Sequence, residues 1–141
     1  MREDIKPFIT KVQKPGRYVG GEAGSIYKDK NKIGLRVAFC FPDVYDIGMS
    51  NLGMRILCGA LNQMEDVWCE RAFAPWPDME AQMRQRNIPL YTHESGDSIR
   101  DFDMIAFTLQ YELCYTTALN MLDMSGIPLR GKDRDDSYPV V

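Results

Sequence analysis

Asp43, Tyr45 and Gly48 stand in the order D-x-Y-x-x-G within FPDVYDIGMSNLG, residues 41–53. A carboxylate, a phenol and a glycine at that spacing suit a loop that meets a ligand. The carboxylate can accept hydrogen bonds, and a glycine where a helix starts lets backbone N–H groups come close to a bound group. Ser50 follows in the same stretch, and either it or Asp46 is placed to cap the helix behind. A second candidate is Thr108-Leu109-Gln110-Tyr111-Glu112, which offers a hydroxyl, an amide and a phenol. The plain alternative is a structural turn in which Asp43 and Asp46 do no more than cap a helix. There is no G-x-G-x-x-G and no G-K-[ST], which disfavours a dinucleotide or P-loop phosphate site.

Other reactive residue types point to less. His93 is the one histidine and lies in the polar stretch THESGDS, where a surface side chain is expected. Nothing in the sequence suggests a serine or cysteine nucleophile as its partner, so a catalytic triad is not expected. Cys40, Cys58, Cys69 and Cys114 are widely spread in apolar surroundings, with no C-x-x-C pair. They are expected to be buried thiols, not a disulfide framework and not a metal site. The net charge is −3, so no general attraction to nucleic acid is expected. The basic run Lys28 to Lys32 is broken by Asp29 and suits a solvated loop. No apolar stretch approaches the ~18 residues of a membrane helix. The start, MREDIKPFITKVQK, is too charged for a signal peptide. These features predict a cytoplasmic protein without a membrane span.

The frame that would hold the two loops can be read from periodicity. The chain has 141 residues, of which 45% are hydrophobic and 26% charged; that is enough for one ordinary domain with a real core. Residues 1–33 read as an irregular segment packing on the domain, with a short amphipathic helix from Arg2 to Val12 and a glycine-rich loop, KPGRYVGGEAGS. Leu35 to Phe41 has the unbroken apolar character of a strand buried on both faces. Apolar residues at helical spacing then predict a helix over about 49–63. Val67 to Phe73 reads as a second strand, and Pro77 opens a helix running to about Asn87. Asp103 to Leu109 is a third strand, and Glu112 to Ser125 a third helix closed by Gly126 and Pro128. Alternating strands and helices predict an α/β domain over 34–141, a three-layer parallel sheet with helices on both faces. Pro139-Val140-Val141 has the look of another strand beginning, so the chain is expected to continue beyond it. In such a sheet ligands bind beyond the carboxyl ends of the strands, where both candidate loops fall.

FCFPDVYDIGMSNLG resembles the cobalamin-binding loop D-x-H-x-x-G, which follows the first strand of a flavodoxin-like, Rossmann-like domain. Asp43 and Gly48 match that motif, and Tyr45 stands in place of the histidine that ligates cobalt from below. Phenol is a poor substitute for imidazole there, so the resemblance implies cobalamin bound without histidine ligation. Thr108-Leu109 falls where the family keeps a small hydroxyl residue beside the nucleotide tail. KPGRYVGGEAGSIYKD, FPDVYDIGMSNLGMRIL, ERAFAPWPDMEAQMR, FTLQYELCYTTALNML and GIPLRGKDRDDSYPVV together resemble the N-terminal part of cobalamin-binding-type radical S-adenosylmethionine (radical SAM) proteins, labelled Fe–S oxidoreductases. The resemblance implies a cofactor site of Asp43, Tyr45, Gly48 and Ser50 facing Thr108, Leu109, Gln110 and Tyr111. It also implies a partner, a radical SAM domain of the same parent chain, holding a 4Fe–4S cluster on C-x-x-x-C-x-x-C together with S-adenosylmethionine. That motif is absent here, so this stretch is not expected to be catalytic alone. The alternative is a degenerate domain without cofactor that serves as a scaffold against the radical domain. A stand-alone receiver or nucleotide-binding module is disfavoured by the lack of an acidic cluster and a phosphate loop.

Overall fold

A computed structural model describes residues 2–141. Its centre is β1 (Leu35–Phe41), which pairs in parallel with β2 (Val67–Phe73) along its whole length, from Leu35↔Val67 to Phe41↔Phe73. On its other edge β1 pairs in parallel with β3 (Met104–Phe107), from Val37↔Met104 to Cys40↔Phe107. The sheet order is β2-β1-β3. Beyond β3, Val140 forms an isolated parallel bridge to Met104, with the Ile105 N–H donating to its carbonyl at 2.7 Å. Residues 139–141 thus lie where a fourth parallel strand would add, an arrangement compatible with a flavodoxin-like sheet.

Period-2 alternation sends the side chains of β1 into two cores. Val37, Phe39 and Phe41 join Val67, Cys69 and Phe73 beneath α2 (Leu52–Asn62), which contributes Met54 and Cys58. Ala38 and Cys40 face the other way, with Ala72 and Ile105. That side is covered by α3 (Pro77–Gln85) through Met79 and Met83 and by α4 (Cys114–Met124) through Met121 and Leu122. Helices therefore cover both faces, as the alternating pattern predicts. Ile5, Phe8, Ile9, Val12 and Tyr18 of the N-terminal segment pack into this second core. Glu70 on β2 is fully buried. It accepts from Arg36 Nη2 at 2.6 Å, from Thr92 Oγ1 at 2.8 Å and from the Ser95 N–H at 2.8 Å, so its charge is paired and its oxygens are satisfied.

Three predicted elements differ in extent. The helix expected over 49–63 is split into a single turn, α1 (Tyr45–Gly48), and α2, which starts at Leu52. Asn51 makes the break, because its side chain accepts the Met54 N–H at 2.8 Å and starts a new helix. The helix expected from Arg2 to Val12 is replaced by two 3₁₀ turns, Glu3–Ile5 and Ile9–Lys11. Pro7 lies between them and lacks the N–H that a continuous helix would donate to the Glu3 carbonyl. β3 ends at Phe107, although the Thr108 N–H still reaches the Cys40 carbonyl at 3.4 Å. Among the described residues no helix is long and apolar enough to cross a membrane.

Candidate functional site

All three strands run the same way, so the loops that leave β1, β2 and β3 meet at one end of the sheet. Between them lies an open groove of about 490 Å³. Pro42, Asp43 and Val44 form one wall, Ala74 to Pro77 the floor, and Tyr111, Leu113, Thr116, Thr117 and Asn120 the other wall. Asp43 is held by its own loop: its carboxylate accepts the Val44 N–H at 2.7 Å, and its carbonyl accepts the Ala74 N–H at 3.0 Å. Across the groove, the Cys114 thiol and then the Asp43 carboxylate raise the Tyr111 phenol above its ordinary value. Asp43 and Tyr111 are the two predicted site residues that the fold brings together on this groove.

The others are placed elsewhere. Tyr45 turns into the domain: its ring stacks on His93 at 5.3 Å between centroids and 18° between planes, and meets Phe73 edge-on at 5.4 Å. Its phenol is raised by burial first and by the Glu22 charge next. Gly48 is pressed against the Phe73 ring, and an added Cβ there would overlap that ring and lie 3.1 Å from Phe41. Its lack of a side chain serves helix-to-strand packing. Ser50 is exposed, and its hydroxyl donates back to the Ile47 carbonyl at 2.9 Å. Thr108 and Gln110 hydrogen bond to each other through their side chains, while Leu109 is exposed.

His93 is the residue whose surroundings differ most from the expected surface position. Its side chain is only 6% exposed, enclosed by Tyr45 and by Phe73, whose ring it meets edge-on at 4.9 Å. Nδ1 lies 3.4 Å from Glu22 Oε1. Gly20, at φ +66°, passes over the His93 backbone carbonyl, where any side chain would collide. Sequence reasoning missed this arrangement because Glu22 is 71 residues from His93 in the chain. The stretch KPGRYVGGE also reaches the turn itself, with Arg17 Nε 2.5 Å and Lys14 Nζ 3.2 Å from the Asp46 carboxylate. Behind the turn, Arg71 pairs with Glu94 at 2.6 Å and lies 3.7 Å from Glu22. Burial pushes the Glu94 carboxyl up, while the His93 hydrogen bond holds Glu22 down at about 2.

Among the described residues, no three His, Cys, Asp or Glu side chains converge as metal ligands. The groove offers two carboxylates, Asp43 and Glu80, a phenol, two hydroxyls and the Asn120 amide beside apolar walls, a set suited to hydrogen bonding a ligand's polar groups. A family model described as "Radical SAM proteins, N-terminal" matches residues 53–141. The match begins inside α2, so it includes Tyr111 and α4 and leaves Asp43, Tyr45 and Gly48 outside. No curated protein and no solved structure matches the chain.

Three variants test this geometry. Gly48→Ala is expected to lower stability by about 1–3 kcal/mol through overpacking against Phe73. Gly59→Ala in mid-α2, where an added Cβ meets nothing within 4 Å, is expected to raise it by about 0.5–1 kcal/mol; denaturant midpoints measure both. Because the Glu22 pKa is depressed from 4.5 to about 2 in the folded chain, its stabilisation is complete above pH 4.5 and fades as pH falls toward 2. The midpoint difference between the parent chain and Glu22→Gln should therefore be larger at pH 7 than at pH 3. An equal difference at both would remove the assigned role of the charge.

Proposed function

The chain belongs to the family of radical SAM proteins, N-terminal, and on that premise we propose that it is a docking domain for the radical SAM domain of the same parent chain. The observation that carries this reading is the rim at the carboxyl end of the sheet. Leu113 is 75% exposed and Leu52 65%, and Ile47, Trp76, Leu109 and Tyr111 are also exposed. Every one of them lies in a loop leaving a strand or in the first turn of the following helix. Apolar side chains gathered at one end of a domain mark a surface that binds something. In this reading the 4Fe–4S cluster and S-adenosylmethionine of the Fe–S oxidoreductase are held by the partner domain, and this domain covers one side of it without catalysing on its own.

A second reading is favoured by the groove beside Asp43 and Tyr111: cobalamin bound without a protein ligand to cobalt. The residues fit it in part. Asp43 and Tyr111 can hydrogen bond a polar tail in the groove, and Tyr45, turned onto His93, offers cobalt nothing. When bound, cobalamin would supply an alkyl-carrying cobalt centre; the chain's own residues would only hold and orient it.

Hydroxyl-radical footprinting separates the two. In the longer protein that carries a radical SAM domain, Leu52 and Leu113 should be labelled several-fold less than in the 141-residue chain, and equal labelling would sink the docking reading. For the second reading, hydroxocobalamin should co-elute with the protein with an unchanged, histidine-off spectrum and should be retained less by Asp43→Ala. Absence of co-elution from both the short and the longer protein would eliminate it.

A further inference from the structure

Cys58 on α2 and Cys69 on β2 are 11 residues apart in the chain, and their sulfurs meet at 3.1 Å. The residues are 6% and 2% exposed, but they are not sealed off. Both line a small open cavity of about 190 Å³ together with Arg55, Arg71 and Glu94. Cys40 and Cys114 are also buried thiols, and neither borders that cavity. The chain is braced at this point. The Asn62 side chain donates to the Cys69 carbonyl at 2.9 Å and accepts the Cys69 N–H at 2.9 Å, so the end of α2 is fastened to β2 beside the two sulfurs.

From this geometry we propose that Cys58 and Cys69 are a two-electron redox pair, closed to a disulfide by a small hydroperoxide that enters the cavity. The Cys69 S–H donates to Cys58 Sγ, and that bond and burial hold the Cys69 proton in place. Cys58 is therefore the attacking sulfur. The Arg71 guanidinium lines the same cavity as the two sulfurs. The Cys58 thiolate attacks one peroxide oxygen. The O–O bond breaks, the sulfenic acid forms, and the other oxygen leaves as hydroxide and takes a proton to become water. Cys69 then gives up its proton and attacks the sulfenic sulfur; the S–O bond breaks, the S–S bond forms, and a second water leaves. Two thiols lose two protons and two electrons, and hydrogen peroxide becomes two waters. A disulfide of about 2.05 Å needs the sulfurs to close by about 1 Å, a movement of side chains across two elements that Asn62 already holds together. The crosslink ties α2, the helix that starts at the exposed Leu52, to the central sheet. This pair lies outside the groove and does not depend on the docking reading.

The test is a thiol map of the 141-residue chain treated with hydrogen peroxide, then denatured and labelled with N-ethylmaleimide. The expected result is a Cys58–Cys69 linked peptide lighter by two hydrogen masses, with Cys40 and Cys114 still labelled and with full reversal by dithiothreitol. Cys69→Ser should stop at a Cys58 sulfenic acid that dimedone traps, and Cys58→Ser should leave Cys69 unoxidised under the same treatment. Circular dichroism shows whether each variant folds; if one does not, the map of the parent chain decides alone. Unchanged labelling of both cysteines, sulfinic acid without a crosslink, or equal crosslinking to Cys40 would overturn the proposal.

Discussion

The structure depends on β1 being bonded along both edges and buried on both faces. Seven of its residues pair with β2 and four with β3, which leaves it no edge for another partner. Its alternation then decides what can lie on each side. Val37, Phe39 and Phe41 are bulky and meet α2, whereas Ala38 and Cys40 are small and let Met79, Met83 and Met121 approach the opposite face. The N-terminal segment fills what remains there. Five of its apolar residues enter the same core, so it is part of the domain's packing although it has no strand and no long helix.

Parallel pairing also forces the three exit loops together, and that determines where the chain is both crowded and open. On one side of the β1 loop, Tyr45, His93 and Phe73 form a closed aromatic cluster with Glu22 at its border. Each aromatic contact contributes about 0.5–1.5 kcal/mol beyond area burial, whereas the pairs of Arg17 and Lys14 with Asp46 face solvent, are screened by it and contribute little. Aromatic packing therefore sets where the turn lies, and the charges fasten the glycine-rich stretch over it. On the other side of the same loop the groove stays open, because nothing larger than Asp43 and Val44 projects from that wall.

One short motif thus serves two purposes. Its carboxylate faces the groove, while its phenol and glycine are committed to packing. A loop of this spacing therefore cannot be assigned to ligand binding as a unit; its residues have to be taken one at a time, according to the side of the turn each occupies.

The sequence by itself determined the layers. The β1 and β2 boundaries, the α/β alternation and the strand-like look of residues 139–141 follow from short-range periodicity and from proline and glycine, which act within a few residues of themselves; that Val140 lies beside β3 is a matter of the tertiary fold. Asn51 and Pro7 were also in plain view as helix-breaking signals, and they moved boundaries without changing the architecture. What only the tertiary structure decided are the meetings of distant residues: His93 with Tyr45 and Glu22, Cys58 with Cys69, and Asp43 with Tyr111. The physical reason is register. Which side chains face each other depends on how β2 and β3 slide against β1 and on which face each crossover helix covers; a shift of one residue would turn Cys69 to the opposite face and carry the loops at the strand ends away from their partners.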